Sequence, residues 1–110
     1  MQGSNIVAQE FDILILGGGS AGYATALRAR QLGFSVGLIE KDKVGGTCLH
    51  TGCIPTKAYL HAAELAEDAR EASKVGVNTE LQSIEMGKVR NYKDGIVGGK
   101  FKGLSGLLKM

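Results

Sequence analysis

The two cysteines of the chain, Cys48 and Cys53, are the residues whose type and spacing most directly suggest chemistry. Five steps along a regular helix advance about 7.5 Å, whereas the Cα atoms of a disulfide lie roughly 4.4–6.8 Å apart. A regular helix therefore cannot close a bridge between them, but a bent helix can. Gly52 and Pro55 favour a bend, because glycine has wide backbone freedom and proline breaks the hydrogen-bond ladder. We interpret this stretch as a redox-active disulfide held on a distorted helix start.

Two other interpretations of the cysteines stay open on the residues alone. They could be inert thiols, or they could form half of a zinc site. A structural zinc site takes four Cys or His ligands at short spacings, and His50 and His61 are present but do not pair in that pattern. Lys57 follows Cys53 by one helical turn, so its side chain could point towards the same site or could simply be solvated.

A glycine-rich stretch is the second feature that suggests chemistry. Gly17, Gly19 and Gly22 form a G-x-G-x-x-G pattern after an apolar run, and Glu40 closes the next apolar run. This context suits a dinucleotide: the glycines allow a tight turn, close approach of the backbone to a pyrophosphate, and close packing of helix on strand. Glu40 can then accept hydrogen bonds from ribose hydroxyls. The pattern does not distinguish NAD from FAD, and a glycine turn without a ligand is the alternative.

Local patterns place the elements that must position these residues. Short apolar runs at 11–16 and 34–39 predict buried parallel strands, and the segment 23–32 between them is rich in helix formers. Residues 41–47 are predicted to form a loop. The sequence therefore predicts an α/β fold that begins with a βαβ unit of a parallel sheet flanked by helices.

Two further helices are predicted in the second half of the chain. The segment 54–73 has one apolar face and one charged face, as an amphipathic helix does. Ser83 is expected to cap a last helix that runs to residue 109. Its many glycines disfavour a helix, so we expect it to depend on packing, against the sheet or against another subunit.

Composition narrows the class of protein. The chain has 110 residues and a formal net charge of +2, and 44% of it is hydrophobic, as in ordinary globular proteins. No basic stripe indicates nucleic-acid binding, and no apolar run is long enough for a membrane span. Residues 1–10 are predicted to be a flexible lead and resemble neither a secretory signal nor a transit peptide. We expect a cytoplasmic location, where a paired-thiol motif is more often catalytic than structural.

The run Gly-Gly-Thr-Cys-Leu-His-Thr-Gly-Cys-Ile-Pro-Thr-Lys at 45–57 resembles the characteristic motif of the class I pyridine nucleotide–disulfide oxidoreductases. The stretch 17–22 and Glu40 match that family too. The resemblance covers the chain from Phe11 onward and implies a Rossmann-like FAD-binding domain. Two departures stand out: the family commonly has Asn where this chain has His50, and often has Ser where it has Thr56.

The resemblance implies a role for each candidate site residue. Cys48 would be the interchange thiol that exchanges with a substrate disulfide, and Cys53 would lie against the flavin and pass electrons to it. Lys57 would sit beside the flavin ring. Glu40 would bind the adenosine ribose. The remaining residues implied to bind FAD are Gly17, Gly19, Ser20, Ala21 and Gly22 at the pyrophosphate, with Lys41, Gly46 and Thr47 along the path to the ring. No metal is expected.

The resemblance also implies a reaction and partners. It is strongest to the branch of the family that oxidises dihydrolipoamide on the lipoyl domains of 2-oxo acid dehydrogenase complexes. That reaction proceeds by thiol–disulfide exchange, electron transfer to FAD and hydride transfer to NAD⁺, which serves as co-substrate. Mercuric reductase and glutathione reductase share the cysteine spacing and are the alternatives, although glutathione reductases tend to have Lys at the position of Thr56. Members of the family are homodimers.

The family resemblance implies a subunit roughly four times longer than this chain. We therefore expect residues 11–110 to be the N-terminal part of an FAD-binding domain, with the rest of that domain, the NAD domain and the dimerisation domain missing. Such a piece is expected to be inactive by itself. A free-standing FAD-binding module without catalysis is the alternative.

Overall fold

A computed structural model describes residues 6–110, and the secondary structure alternates between strand and helix at the start of the chain. Residues 6–10 are exposed and have no regular secondary structure, whereas residues 1–5 of the predicted lead lie outside the described part. The elements, in chain order, are β1 (Ile13–Leu16), α1 (Ser20–Gln31), β2 (Val36–Ile39), α2 (Gly46–His50), α3 (Cys53–Glu71), a short 3-10 helix (Ala72–Val75) and α4 (Met86–Lys109).

The two strands form a parallel sheet, and α1 makes the crossover between them. Ile13 pairs with Val36, and the register runs on to Leu16 opposite Ile39. This arrangement confirms the predicted α/β fold with a βαβ unit. The parallel register places the C-terminal ends of both strands at one edge of the sheet, which is where ligands bind in open α/β folds.

Each element of the βαβ unit is shifted slightly from the sequence prediction. Both strands begin two residues later than expected, at Ile13 and Val36. Just before them, Asp12 and Ser35 exchange two hydrogen bonds of 2.8 Å, one from each backbone N–H to the other side chain. The helix α1 begins at Ser20, three residues before the predicted start, because the glycine turn is complete by Gly19.

The cysteine stretch is helical on both sides of a break. The predicted loop 41–47 ends earlier than expected, because the short helix α2 begins at Gly46. The next helix, α3, begins at Cys53. Thr51 and Gly52 lie between the two helices and have non-helical backbone angles. The predicted distorted helix start is therefore two helices joined by a sharp turn.

The last helix is present in spite of its glycines, but the predicted cap is wrong. The helix α4 begins at Met86, and Glu85 occupies the N-cap position with an extended backbone, so Ser83 lies outside the helix. Lys88 donates a hydrogen bond of 2.8 Å to the carboxylate of Glu85 across the first turn. The helix packs principally on α3, with smaller contacts to α2 and α1, and not on the face of the sheet as expected.

The core of this chain is small. Its buried apolar side chains are Ala26 and Ala29 of α1, Leu49 of α2, and Pro55 and Ala58 of α3, and none of the large side chains described is fully buried. The radius of gyration is 21.4 Å, against about 13 Å for a compact domain of 100 residues. On the sheet, Leu14 and Leu16 are exposed on one face while α1 covers the other. Within residues 6–110, no helix has the length and apolar character to cross a membrane.

Candidate functional site

The break between α2 and α3 brings the two cysteines within bridging distance. Cys48 and Cys53 form a disulfide, and their Cα atoms lie 4.7 Å apart. That distance is inside the range for a disulfide and well below the roughly 7.5 Å of a regular helix. The bend inferred from Gly52 and Pro55 is therefore present. Among the described residues there is no cluster of three side chains able to hold a metal ion, so nothing in this region favours the zinc interpretation.

The two cysteines differ in accessibility and setting. Cys53 is exposed and is the first residue of α3, a helix of 19 residues. Cys48 is half-buried in the middle of α2. The start of a long helix carries a partial positive charge from its unpaired N–H groups, which favours an anion there. A thiolate at Cys53 would be stabilised in this position.

The glycine turn between β1 and α1 is built so tightly that a side chain cannot be accommodated at Gly22. A Cβ atom built on Gly22 would lie 1.9 Å from the carbonyl oxygen of Gly17. The backbone of the turn thus packs directly on the first turn of the helix. In front of it lies a shallow cleft of about 420 Å³, which is lined by Ile15, Leu16, Gly17, Gly19, Ser20, Ala21, Gly22 and Thr25.

The start of α1 opens into this cleft. Ser20, Ala21 and Gly22 are the first three residues of the helix, so their backbone N–H groups have no partner within it. Unpaired N–H groups and the helix dipole together form an anion-binding surface. Five of the residues predicted to hold a pyrophosphate therefore line one cleft, and the cleft suits a phosphate group.

Glu40 lies beside the same turn. Its Oε1 atom accepts a hydrogen bond of 3.1 Å from the backbone N–H of Gly18, and the residue is half-buried. The bond links the C-terminal end of β2 to the turn that follows β1. The carboxylate predicted to bind a ribose is thus held next to the predicted pyrophosphate cleft.

The loop that leads to the cysteines is docked on the glycine turn. The N–H of Gly45 donates a hydrogen bond of 2.8 Å to the carbonyl of Gly18. Gly46 has a φ of +70° and lies so near Gly19 that a Cβ atom on Gly46 would be 2.8 Å from the Cα of Gly19. The glycine turn and the cysteine stretch therefore form one continuous surface.

The other predicted site residues lie along this surface without contacts that fix their side chains. Lys41 is exposed directly after Glu40, and Thr47 is exposed in α2 next to Cys48. Lys57 is exposed one turn along α3 from Cys53, and residues four apart lie on the same face of a helix. The structure is therefore compatible with the position expected for Lys57 but shows no contact between its amine and the disulfide.

Sequence reasoning missed a contact of His50, which lies between the two cysteines. Its Nε2 atom is 2.8 Å from the carbonyl oxygen of Val44, and its ring meets the ring of Phe101 edge-on at 5.2 Å. Phe101 belongs to α4, far along the chain, and no local pattern marks it as a partner. The only available signal is the presence of a histidine where the resembling family commonly has asparagine.

A larger groove lies away from these residues. It has a volume of about 860 Å³ and runs between α1, β2 and the C-terminal end of α4. Its lining is largely apolar and includes Leu27, Val36 and Leu108. None of the predicted site residues lines it, so its size does not make it the better candidate; the cleft at the glycine turn has the groups that a dinucleotide needs.

Comparison with known proteins identifies the class. Residues 11–101 match the model of the pyridine nucleotide-disulphide oxidoreductase family. The chain belongs to this family, as the glycine turn, Glu40 and the paired cysteines predicted.

Several relatives are named dihydrolipoyl dehydrogenase. The chain is 48% identical over 103 residues to a dihydrolipoyl dehydrogenase of Bacillus subtilis, covering 94% of this chain and 22% of that protein. It is 42% identical to dihydrolipoyl dehydrogenase 2 of Haloarcula marismortui, covering 89% of this chain and 21% of that protein. It is 43% identical to the mitochondrial dihydrolipoyl dehydrogenase of Dictyostelium discoideum, covering 92% of this chain and 21% of that protein. The chain thus spans about a fifth of the length of the curated relatives it matches.

Proposed function

We propose that this chain is the FAD-binding and disulfide-bearing part of a dihydrolipoamide dehydrogenase. The observation that carries the proposal is the docking of Gly46 on Gly19, which joins a dinucleotide cleft to a helix bearing the Cys48–Cys53 disulfide. An extended cofactor bound with its pyrophosphate at the turn would therefore reach the cysteines along a single surface. The named relatives support the same assignment.

The residues of the turn fit the phosphates and the ribose of FAD. Gly17, Gly19 and the start of α1 from Ser20 to Gly22 would hold the pyrophosphate, because Gly22 leaves no side chain in the turn and the helix start attracts anions. Glu40 would bind the ribose through its oxygen atoms, one of which already accepts the Gly18 N–H. Lys41, Gly46, Thr47 and Lys57 would border the cofactor between the turn and the disulfide.

The cysteines carry the proposed redox chemistry. A thiol of dihydrolipoamide attacks the Cys48 sulfur, the Cys48–Cys53 bond breaks, and Cys53 leaves as a thiolate. The second substrate thiol then displaces Cys48 from the mixed disulfide, which releases lipoamide and leaves both protein sulfurs reduced. Two electrons and two protons pass from the substrate in this exchange. Cys53 is suited to leave because the start of α3 stabilises its thiolate.

FAD, when bound, would supply the means of returning the cysteines to the disulfide by taking up two electrons and passing them to NAD⁺ as a hydride. Cys53 is exposed in this chain, and we infer that its exposed side is the one covered by the cofactor. The half-buried Cys48 would then be left to meet the substrate.

Other parts of the proposal concern a protein of the relatives' length. We propose that it reduces NAD⁺, acts on lipoyl domains of a 2-oxo acid dehydrogenase complex, forms a homodimer and works in the cytoplasm. Residues 11–110 would form the N-terminal part of its FAD-binding domain. We expect these 110 residues to show no turnover without the remainder.

The test is the absorption spectrum of the purified chain after incubation with FAD and gel filtration. We expect flavin bands to remain with the protein, and a long-wavelength band to appear when dihydrolipoamide reduces the cysteines. A double variant, Cys48→Ser with Cys53→Ser, should retain the flavin and lose the long-wavelength band. A chain that leaves the column without flavin would contradict FAD binding by these residues. Flavin bands with the same long-wavelength response in the double variant would contradict the proposed role of the cysteines.

A further inference from the structure

His50 connects the helix that carries Cys48 to the loop in front of it. Its Nε2 atom lies 2.8 Å from the carbonyl oxygen of Val44. A carbonyl oxygen can only accept, so Nε2 carries the hydrogen in this contact. The ring fits closely under the loop, since a Cβ atom on Gly45 would come within 3.0 Å of Nε2. The histidine therefore spans from the C-terminal end of α2 back to the residues that precede it.

The same ring also contacts a distant element. Its centroid lies 5.2 Å from that of Phe101 in α4, with an angle of 66° between the ring planes, which is an edge-to-face arrangement. Such pairs are favourable because the positive edge of one ring faces the negative face of the other. His50 is thus held by a hydrogen bond on one side and an aromatic ring on the other.

The helix α2 needs such anchors because it has only five residues. A helix of this length is not stable in isolation. Its anchors are the contact of Gly46 with Gly19, the buried side chain of Leu49, the disulfide of Cys48 and the two contacts of His50. Two of these, the disulfide and the His50 hydrogen bond, restrain the same single turn of backbone.

We propose that His50 is a positioning residue for the cysteine pair: its hydrogen bond to Val44 holds α2 where the sulfur of Cys48 can bond that of Cys53, and so protects the disulfide from reduction. The proposal rests on the redox role proposed above for the two cysteines. The physical basis is effective concentration. When α2 is held in place, less conformational freedom is lost on forming the bridge, and the disulfide is favoured over the dithiol.

The equilibrium with glutathione measures this effect directly. In that equilibrium, the protein disulfide and two reduced glutathione molecules exchange to give the protein dithiol and one oxidised glutathione, so electrons and protons balance. The fraction of dithiol is read by trapping free thiols with a maleimide and measuring the mass. No flavin is added to this equilibrium. An unchanged equilibrium in the variants therefore says nothing about FAD retention, and a chain that fails to retain FAD can still be tested with glutathione.

Two variants separate the two contacts of the histidine. His50→Phe keeps an aromatic ring against Phe101 and removes the donor, and we expect it to favour the dithiol by about three- to tenfold, the effect of one lost hydrogen bond. His50→Gln loses the ring and keeps an amide N–H at a similar reach, so its equilibrium constant should stay within about twofold of that of the unchanged chain. The matched control is His61→Phe. His61 lies in α3, its ring is 6.2 Å from that of Tyr92 in α4, and the variant should leave the equilibrium unchanged.

The outcomes decide the proposal. An unchanged equilibrium in His50→Phe would overturn it. So would an equal shift in His50→Gln, because the effect would then belong to the ring, and so would an equal shift in His61→Phe, because the effect would then be general loosening of the contacts with α4. Thermal unfolding of the three variants, followed by circular dichroism, measures the general loss of stability. If His50→Phe and His61→Phe lower the melting temperature equally, the glutathione equilibrium must still shift more in His50→Phe.

Discussion

Gly46 packs backbone to backbone against Gly19 and has no room for a side chain of its own: a Cβ atom on Gly46 would lie 2.8 Å from the Cα of Gly19. The adjoining Gly45 N–H donates to the Gly18 carbonyl at 2.8 Å. These contacts connect the turn after β1 with the helix that bears Cys48. They are the structural basis for treating the proposed dinucleotide cleft and the disulfide as parts of one site.

Gly46→Ala should lower the free energy of unfolding by about 3 kcal/mol, because the new side chain meets both a left-handed backbone and the Gly19 backbone. The φ of Gly46 is +70°. Urea unfolding measures the loss. Gly76→Ala is the matched control, since Gly76 also has a positive φ, +87°, but has nothing within 4 Å of a Cβ atom. It should cost only the conformational part, about 1 kcal/mol. Equal losses in the two variants would mean that the contact with Gly19 is unimportant.

Alanine substitutions at two glycines of the first turn should differ in their effect on stability. Gly22→Ala would place its Cβ 1.9 Å from the carbonyl oxygen of Gly17, so we expect it to destabilise the fold by about 3 kcal/mol. Gly19→Ala meets nothing nearer than 3.8 Å, and its stability should stay within about 0.5 kcal/mol of the unchanged chain. Gly19 nevertheless lines the proposed pyrophosphate cleft, so the added methyl group should hinder the approach of the phosphates.

FAD titration separates these effects. If two hydrogen bonds to phosphate of about 1 kcal/mol each are lost, Gly19→Ala should bind FAD at least roughly tenfold more weakly. Unchanged FAD affinity in Gly19→Ala, with stability also unchanged, would contradict the proposed place of the pyrophosphate.

The glycines along α4 weaken the helix without any steric need in this structure. A Cβ atom on Gly95, Gly99 or Gly103 would have nothing within 4 Å. Replacing each by alanine should raise the free energy of unfolding by about 0.5–1 kcal/mol, because alanine restricts the unfolded chain and favours a helix. Gly52→Ala is the control and should destabilise, since its Cβ would lie 2.9 Å from the backbone carbonyl oxygen of Thr47. A loss of stability in the α4 variants would show that this face is packed in solution.

Asp12 should make the stability depend on pH in the acid range. The Ser35 backbone N–H donates to its carboxylate at 2.8 Å, and this bond lowers the pKa of Asp12 from its ordinary value of 3.8. A lowered pKa in the folded state means that the stabilisation is complete above pH 3.8 and is lost as the pH falls through the lower folded pKa. Urea unfolding across this range should show the stability advantage over Asp12→Asn shrinking with falling pH. A constant difference down to the lowest pH would contradict the role of the charge.

Local features of the sequence were sufficient for the βαβ unit and for the bend at the cysteines. The apolar runs before and after the glycine turn predicted β1 and β2, because a strand buried in a parallel sheet requires an apolar run of that length. The spacing of Gly17, Gly19 and Gly22 predicted the turn, since each glycine answers a steric demand within a few residues. Gly52 and Pro55 similarly predicted a break near the cysteines. These properties depend on neighbours in the chain, so they can be read from it.

Tertiary structure decided the features that depend on distant residues. The segment around Gly46 was predicted as a loop and forms α2, which is too short to be stable without its contacts. Ser83 has the side chain of a helix cap, yet α4 starts only after Glu85 and packs on α3. The contacts of Gly46 with Gly19 and of His50 with Phe101 join residues that are remote in sequence. Local propensity contains no information on such pairs, because their energy arises only when the folded chain brings them together.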